Sequence, residues 1–311
     1  MKKLIFSALV AFSLVSCGEE KEKVVELKTF KDRLSYTLGA DHARAISESG
    51  DPNFSKYDIT EIVNGFQEGV KNEKAFGDDC KATIKSLFGV TGKDFNAKYV
   101  KEGSNCIGKI SGIFFSNGWK QKKAMDKIDM KMVLIGFEQG LRKIDTLVKV
   151  EEQMKMVQDF MTDLNKMNGI KMLDAAKKRP NTKVTASGII LETIKEGTGG
   201  NPSAGDDVLA HYILMNANGD TLQNSFDMVE KYKQPLTAFS LLEVVPGWQE
   251  GIPMMKKGGK YRLYLPFHLA YGEQGMYNQQ TGSYDIQPFE SLFFYIELLN
   301  YGKQGSLRKS K

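Results

Sequence analysis

A chain of 311 residues, 41% hydrophobic and 26% charged, is long enough for about two domains and apolar enough to bury a core, which excludes wholesale disorder. Its net charge of +5, part of it from Lys2 and Lys3 at the extreme N terminus, lacks the concentrated basic stripe of a nucleic-acid binder, so no nucleic-acid partner is expected. Three scattered histidines (His42, His211, His268) and three cysteines with no Cys-x-x-Cys spacing leave little for a zinc site; neither metal nor cofactor is expected.

The chain opens with two lysines and an apolar stretch, Leu4 to Val15, that is too short to span a bilayer and ends in small residues. This reads as a secretory leader over 1–16, outside the fold. Leu14-Val15-Ser16-Cys17 resembles the lipobox of bacterial lipoproteins. That resemblance implies lipidation of Cys17, a polar tether over 17–27, and a protein anchored to a membrane of the cell envelope without a spanning helix. A plain leader with a chance cysteine is the alternative. Export leaves Cys80 and Cys106 in an oxidising compartment, where a disulfide is the expectation and two buried thiols the alternative.

Residues 28–180 carry helical periodicity and a single proline, Pro52, ahead of Pro180. Asp58 to Val70 resembles Asp129 to Leu141 around a shared Gly-Phe-[Gln/Glu]-[Glu/Gln]-Gly, a duplicated helical unit too short in number for a solenoid. Between the copies, 71–128 is rich in glycine and aromatics and predicts short helices and loops. Val150, Met154, Val157, Met161 and Leu164 then predict one seam of a long linker helix. Eight of fourteen methionines fall between Met125 and Met172, which core packing explains more simply than an adaptable binding face.

From about Lys183 the period becomes two. Gly188–Ile194, Val208–Leu214, Lys260–Leu265 and Ser291–Leu299 predict strands, and Trp248 to Met255 a short helix started at Pro246-Gly247. Gly197-Thr198-Gly199-Gly200 leads into a strand and not a helix, so a phosphate loop is excluded. The expectation is a two-part α+β chain: a helical half over 28–180, an antiparallel domain over 181–302 and a basic tail over 303–311.

The second part resembles the FKBP-type peptidyl-prolyl isomerases. Val208-Leu209-Ala210-His211-Tyr212, Val244-Val245-Pro246-Gly247-Trp248, Leu269-Ala270-Tyr271-Gly272 and Ile286-Gln287-Pro288-Phe289 occur in the family's order over about 110 residues. Leu34-Ser35-Tyr36-Thr37-Leu38-Gly39-Ala40-Asp41 is similar to the exported Mip/FkpA branch. The resemblance implies a twisted antiparallel sheet wrapped on one short helix, behind a helical domain that dimerises. A duplicated unit within one chain leaves two possibilities, a homodimer or a pseudo-dimeric monomer.

By position, the resemblance places Trp248 as the floor under a substrate proline, Tyr212, Phe239 and Phe294 as walls, Ile286 at the rim and Val244 as support. The Val245 N–H and the Tyr271 hydroxyl would hold substrate carbonyls. Rotation about an X–Pro bond faces a barrier of roughly 18–20 kcal/mol, and a dry aromatic cup favours the twisted, less polar amide. Counted without gaps, the family's wall aromatic and acid fall on Leu222 and Gln223. A four-residue insertion would instead use Phe226 and Asp227. The expected function is acceleration of X–Pro rotation in unfolded or folding exported proteins. The alternative is a weakly active FKBP-like chaperone that holds clients through its helical half.

Overall fold

The computed structural model describes residues 25–89, 94–144 and 147–307; the leader, Cys17 and the tail at 308–311 lie outside the described residues. The chain divides into two compact units, Met1–Phe160 and Met161–Lys311. The division falls inside one long helix. A helical N-terminal half followed by an antiparallel-sheet domain is the architecture expected.

In the first unit, helix α1 spans Phe30–Ser47, α2 Ile59–Lys71, α3 Asp78–Phe88, α4 Val100–Gln121 and α5 Met130–Leu141, and α6, Val150–Lys177, begins here. Thr29 and Asp32 close a reciprocal capping box at the start of α1, while Asp58 and Asp129 cap α2 and α5 through their side chains. Helices α1 and α5 cross, as do α2 and α4. Both crossings are too close for side chains between them: a Cβ at Gly39 would lie 2.0 Å from the Val133 carbonyl oxygen, and one at Gly108 2.1 Å from that of Ile62. Only glycine lets backbone approach backbone at such points.

This packing corrects the reading of 71–128 as short helices and loops. Helix α4 runs 22 residues, because Gly103, Ser104, Gly108, Ser111 and Gly112 line a small-residue face and break nothing. The seam of α6 is also shifted: Gln153, Met156, Phe160 and Leu164 are buried, whereas Val150 and Met154 are exposed. Gln153 escapes a search for apolar periodicity, yet it is buried with its amide donating to the Val148 carbonyl at 2.8 Å.

At the middle of the unit Phe66 stacks on Phe137 at 4.0 Å between ring centroids, with His42 and Phe115 packed around them. Burial lowers the pKa of His42 below its ordinary value, so its ring is held neutral against Ser111. Cys80 and Cys106 form a disulfide that ties α3 to α4 across 26 residues. Loop-closure entropy for that span is worth about 3.5 kcal/mol. Reduction, or Cys80→Ser with Cys106→Ser, is expected to lower the stability of the helical half by about that amount, read as a lower denaturant midpoint by circular dichroism. An unchanged midpoint would refute it.

In the second unit the strands are β1 (Thr182–Val184), β2 (Ile190–Lys195), β3 (Asp207–Asn216), β4 (Thr221–Asn224), β5 (Phe239–Ser240), β6 (Lys260–Leu265), β7 (Met276–Asn278), β8 (Ser283–Ile286) and β9 (Leu292–Gly302). Two short helices, α7 (Ser225–Glu230) and α8 (Pro246–Gly251), interrupt them. The sheet runs β1-β2-β6-β9-β3-β4, wholly antiparallel, with β5 joined to β3 and β7-β8 a separate hairpin. Strict alternation along β3 sends Val208, Ala210, Tyr212 and Leu214 to the core. Helix α8 lies against β6, so close that a Cβ at Gly247 would come 2.4 Å from Leu265 and one at Gly251 2.6 Å from Leu263. Met172, Leu173 and Ala176 of α6 pack with Ile190, Tyr264 and Phe293 in a separate cluster.

Candidate active site

Four aromatic rings from four elements converge at the start of α8. Pro246 opens that helix with its fixed φ, and the Val245 carbonyl accepts from the N–H groups of Trp248 (2.9 Å) and Gln249 (3.2 Å). Trp248 is thereby aimed into the core, where it is 4% exposed. Its ring meets Tyr212 at 5.6 Å, Phe239 at 5.6 Å and Phe294 at 5.2 Å between centroids, each edge to face. Tyr212 meets Phe239 at 5.7 Å and Phe294 at 6.4 Å. Edge-to-face contacts of this kind, favoured between aromatic rings, join the four into one apolar cluster.

The remaining positions fall around this cup. Ile286, at the end of β8, and the half-buried Tyr271 belong to the same apolar cluster, as do Val244 and Val245. Burial raises the pKa of the Tyr271 hydroxyl, and that of Tyr212 as well, so both stay protonated donors. Among the described residues neither the Tyr271 hydroxyl nor the Val245 N–H donates a hydrogen bond to protein. Val244 turns its carbonyl away, accepting from the Gln249 amide at 2.9 Å.

Leu222 and Gln223 sit on β4, with Gln223 opposite Leu214 of β3. The Tyr212 hydroxyl donates to Gln223 Oε1 at 2.7 Å. Leu222, the position counted as a wall, is 36% exposed and lies outside the apolar cluster that holds the four rings. Phe226 and Asp227 go elsewhere: Phe226 stacks on His211 at 4.3 Å, on the opposite face of β3 from Tyr212, and Asp227 pairs with Lys231 at 3.0 Å. The geometry therefore brings Gln223, and not Asp227, to Tyr212. One positioning residue escaped the sequence reading. Ser225 Oγ accepts the Tyr212 N–H at 2.8 Å and bonds His211 Nδ1 at 3.1 Å, fixing the end of β4 against β3.

Comparison with known proteins gives this cup a context. The model of a family described as FKBP-type peptidyl-prolyl cis-trans isomerase matches residues 199–299. The isomerase FkpA of Aeromonas hydrophila is 30% identical over 245 residues, which cover 74% of this chain and 87% of that one. The chain belongs to the FKBP-type peptidyl-prolyl cis-trans isomerase family. Mip of Coxiella burnetii is 35% identical over 132 residues, 42% of this chain and 53% of its own. The crystal structure of FkpA from Escherichia coli aligns with 65% of this chain and 96% of its own, at 24% identity and a TM-score of 0.39. The match to the FKBP family runs from before β3 into β9, ending at 299, and so takes in every side chain of the cup.

Proposed function

We propose that this chain accelerates cis–trans rotation about X–Pro bonds in exported proteins. The observation that supports the reading is the meeting of Trp248, Tyr212, Phe239 and Phe294 in one apolar cluster, with two donors, Val245 N–H and the Tyr271 hydroxyl, that meet no protein acceptor among the described residues, in the same cluster. The planar amide owes its stiffness to charge-separated resonance, which water supports. A proline ring seated on Trp248 carries the amide out of water, so the planar form loses that support and the twisted form is favoured. Donors fixed beforehand to the flanking carbonyls hold the chain still while one bond turns. No covalent bond forms or breaks.

The test is the exchange rate of a short X–Pro peptide with the purified chain, beside Tyr271→Phe. A rate well above the uncatalysed tens of seconds, reduced about tenfold in the variant, is the expected result. No acceleration by the folded chain would overturn the reading. One observation favours the weaker, chaperone-like alternative: Gln223, a neutral side chain, is what Tyr212 finds as acceptor. Gln223→Asp separates the two readings, because a gain of several-fold assigns the deficit to the missing charge and no gain leaves catalysis at full strength without it.

The same proposal places the protein in the cell envelope, held by lipid on Cys17. In its support stand the lipobox-like residues and a relative in Legionella longbeachae named outer membrane protein MIP, 32% identical over 172 residues. No described helix is long and apolar enough to cross a membrane. Mass spectrometry of the membrane-extracted chain tests this: an N terminus other than an acylated Cys17 would refute it.

A further inference from the structure

The helical unit contains one motif twice, in exchanged pairing. Helices α2 and α5 share the Gly-Phe run at an offset of 71 residues (136 against 65). Helices α1 and α4 share no such run, yet their contacts match at an offset of 69 (104 against 35). Ser35 Oγ accepts the Asp129 N–H at 2.8 Å, and Ser104 Oγ accepts the Asp58 N–H at 3.0 Å. A Cβ at Gly136 would lie 2.0 Å from the Tyr36 carbonyl oxygen, and one at Gly65 2.0 Å from that of Asn105. Gly39 and Gly108 repeat the correspondence against Val133 and Ile62, themselves 71 apart (133 against 62). In every case the first helix of one copy packs on the second helix of the other.

Along the middle of the unit, residues meet their own equivalents. Phe66 stacks on Phe137, and His42 Nε2 lies 2.8 Å from Ser111 Oγ, 69 positions on (111 against 42). Contacts of a position with its own counterpart are the mark of a two-fold axis, here one relating two parts of a single chain. The copies part ways at the helix attached to the end of each. After α5 comes α6, whose Met156 sulfur sits 3.9 Å from Thr37 Oγ1. After α2 comes the short α3, and its Cys80 is bonded to Cys106, the equivalent of Thr37 (106 against 37). So α3 takes on α4 the place that α6 takes on α1.

We infer that the helical half is a complete pseudo-dimer within one chain, and that the protein is a monomer carrying one C-terminal domain. The faces through which a second chain would enter, those of Gly39, Gly65, Gly108 and Gly136, are already covered by backbone of the same chain. The disulfide-bound α3 closes the site where a second long helix would lie. Two measurements decide it. Light scattering on the otherwise intact chain bearing Cys17→Ser, which prevents acylation, is expected to give the mass of one chain across a hundredfold range of concentration. Removal of 58–128 joins the α1 loop directly to Asp129 and leaves one first helix and one second helix, which is expected to double the mass. A two-chain mass for the intact protein, or a folded one-chain mass for the deletion, would overturn the inference. Should the deletion fail to fold, the mass of the intact chain still decides.

Discussion

Trp248→Ala is expected to abolish most of the isomerisation, with kcat/KM for a short X–Pro peptide falling about a hundredfold, equivalent to about 2.7 kcal/mol of lost transition-state stabilisation. Trp248 touches all three other rings of the cup and is itself almost wholly buried. Its loss removes the surface proposed to seat the proline and opens a cavity that admits water to the amide. The same cavity is expected to destabilise the C-terminal domain by about 3–5 kcal/mol. Since a weakened domain alone would lower activity, Trp248→Leu serves as the companion. It keeps an apolar filler, so the fold should survive while the flat floor is lost. If Trp248→Leu turned over as fast as the parent chain, the floor assignment would fall.

The second large effect belongs to Gly108. An added Cβ there would sit 2.1 Å from the Ile62 carbonyl oxygen and 2.8 Å from the Phe66 nitrogen, both backbone atoms with nowhere to move except by parting α2 from α4. Gly108→Ala is expected to cost the helical half about 3 kcal/mol or more, beyond the usual burden of one extra methyl in a packed core. The same helix supplies the control. Nothing lies within 4 Å of a Cβ at Gly118, so Gly118→Ala should stabilise by about 0.5–1 kcal/mol through the unfolded chain. Opposite signs from one substitution in one helix, read by denaturant unfolding, is the expected outcome. Two stabilisations of similar size would mean that helix propensity, and not the crossing, governs both sites.

The sequence was legible where a residue's neighbours in the chain are also its reasons. Alternation along β3 and β9, and Pro246 at the head of α8, express rules of period and φ that act within a few residues. The Gly-Phe run showed duplication in α2 and α5 for the same reason. The partner duplication in α1 and α4 was hidden, because only Ser35 with Ser104, Gly39 with Gly108 and Ser47 with Ser116 preserve it, and the roles of the first two pairs are set by helices far away in the chain. Glycine and serine at those spacings read as loop when the partner backbone is out of sight. The rim of the cup divided in the same way. Tyr212 and Trp248 were placed by their motifs, whereas the choice between Gln223 and Asp227 depends on the register of β4 against β3, which no local pattern specifies.

Exchanged pairing also sets an order of events for the chain itself. As residues emerge one after another, α1 is complete at Ser47, but the helix that packs on Tyr36 and Gly39 begins only at Met130. Until that helix arrives, α1 has only marginal stability of its own. Helices α2 and α4 close first, since the shorter loop costs less entropy. The N-terminal half is thus assembled from its middle outward, and the first helix made is among the last to be buried.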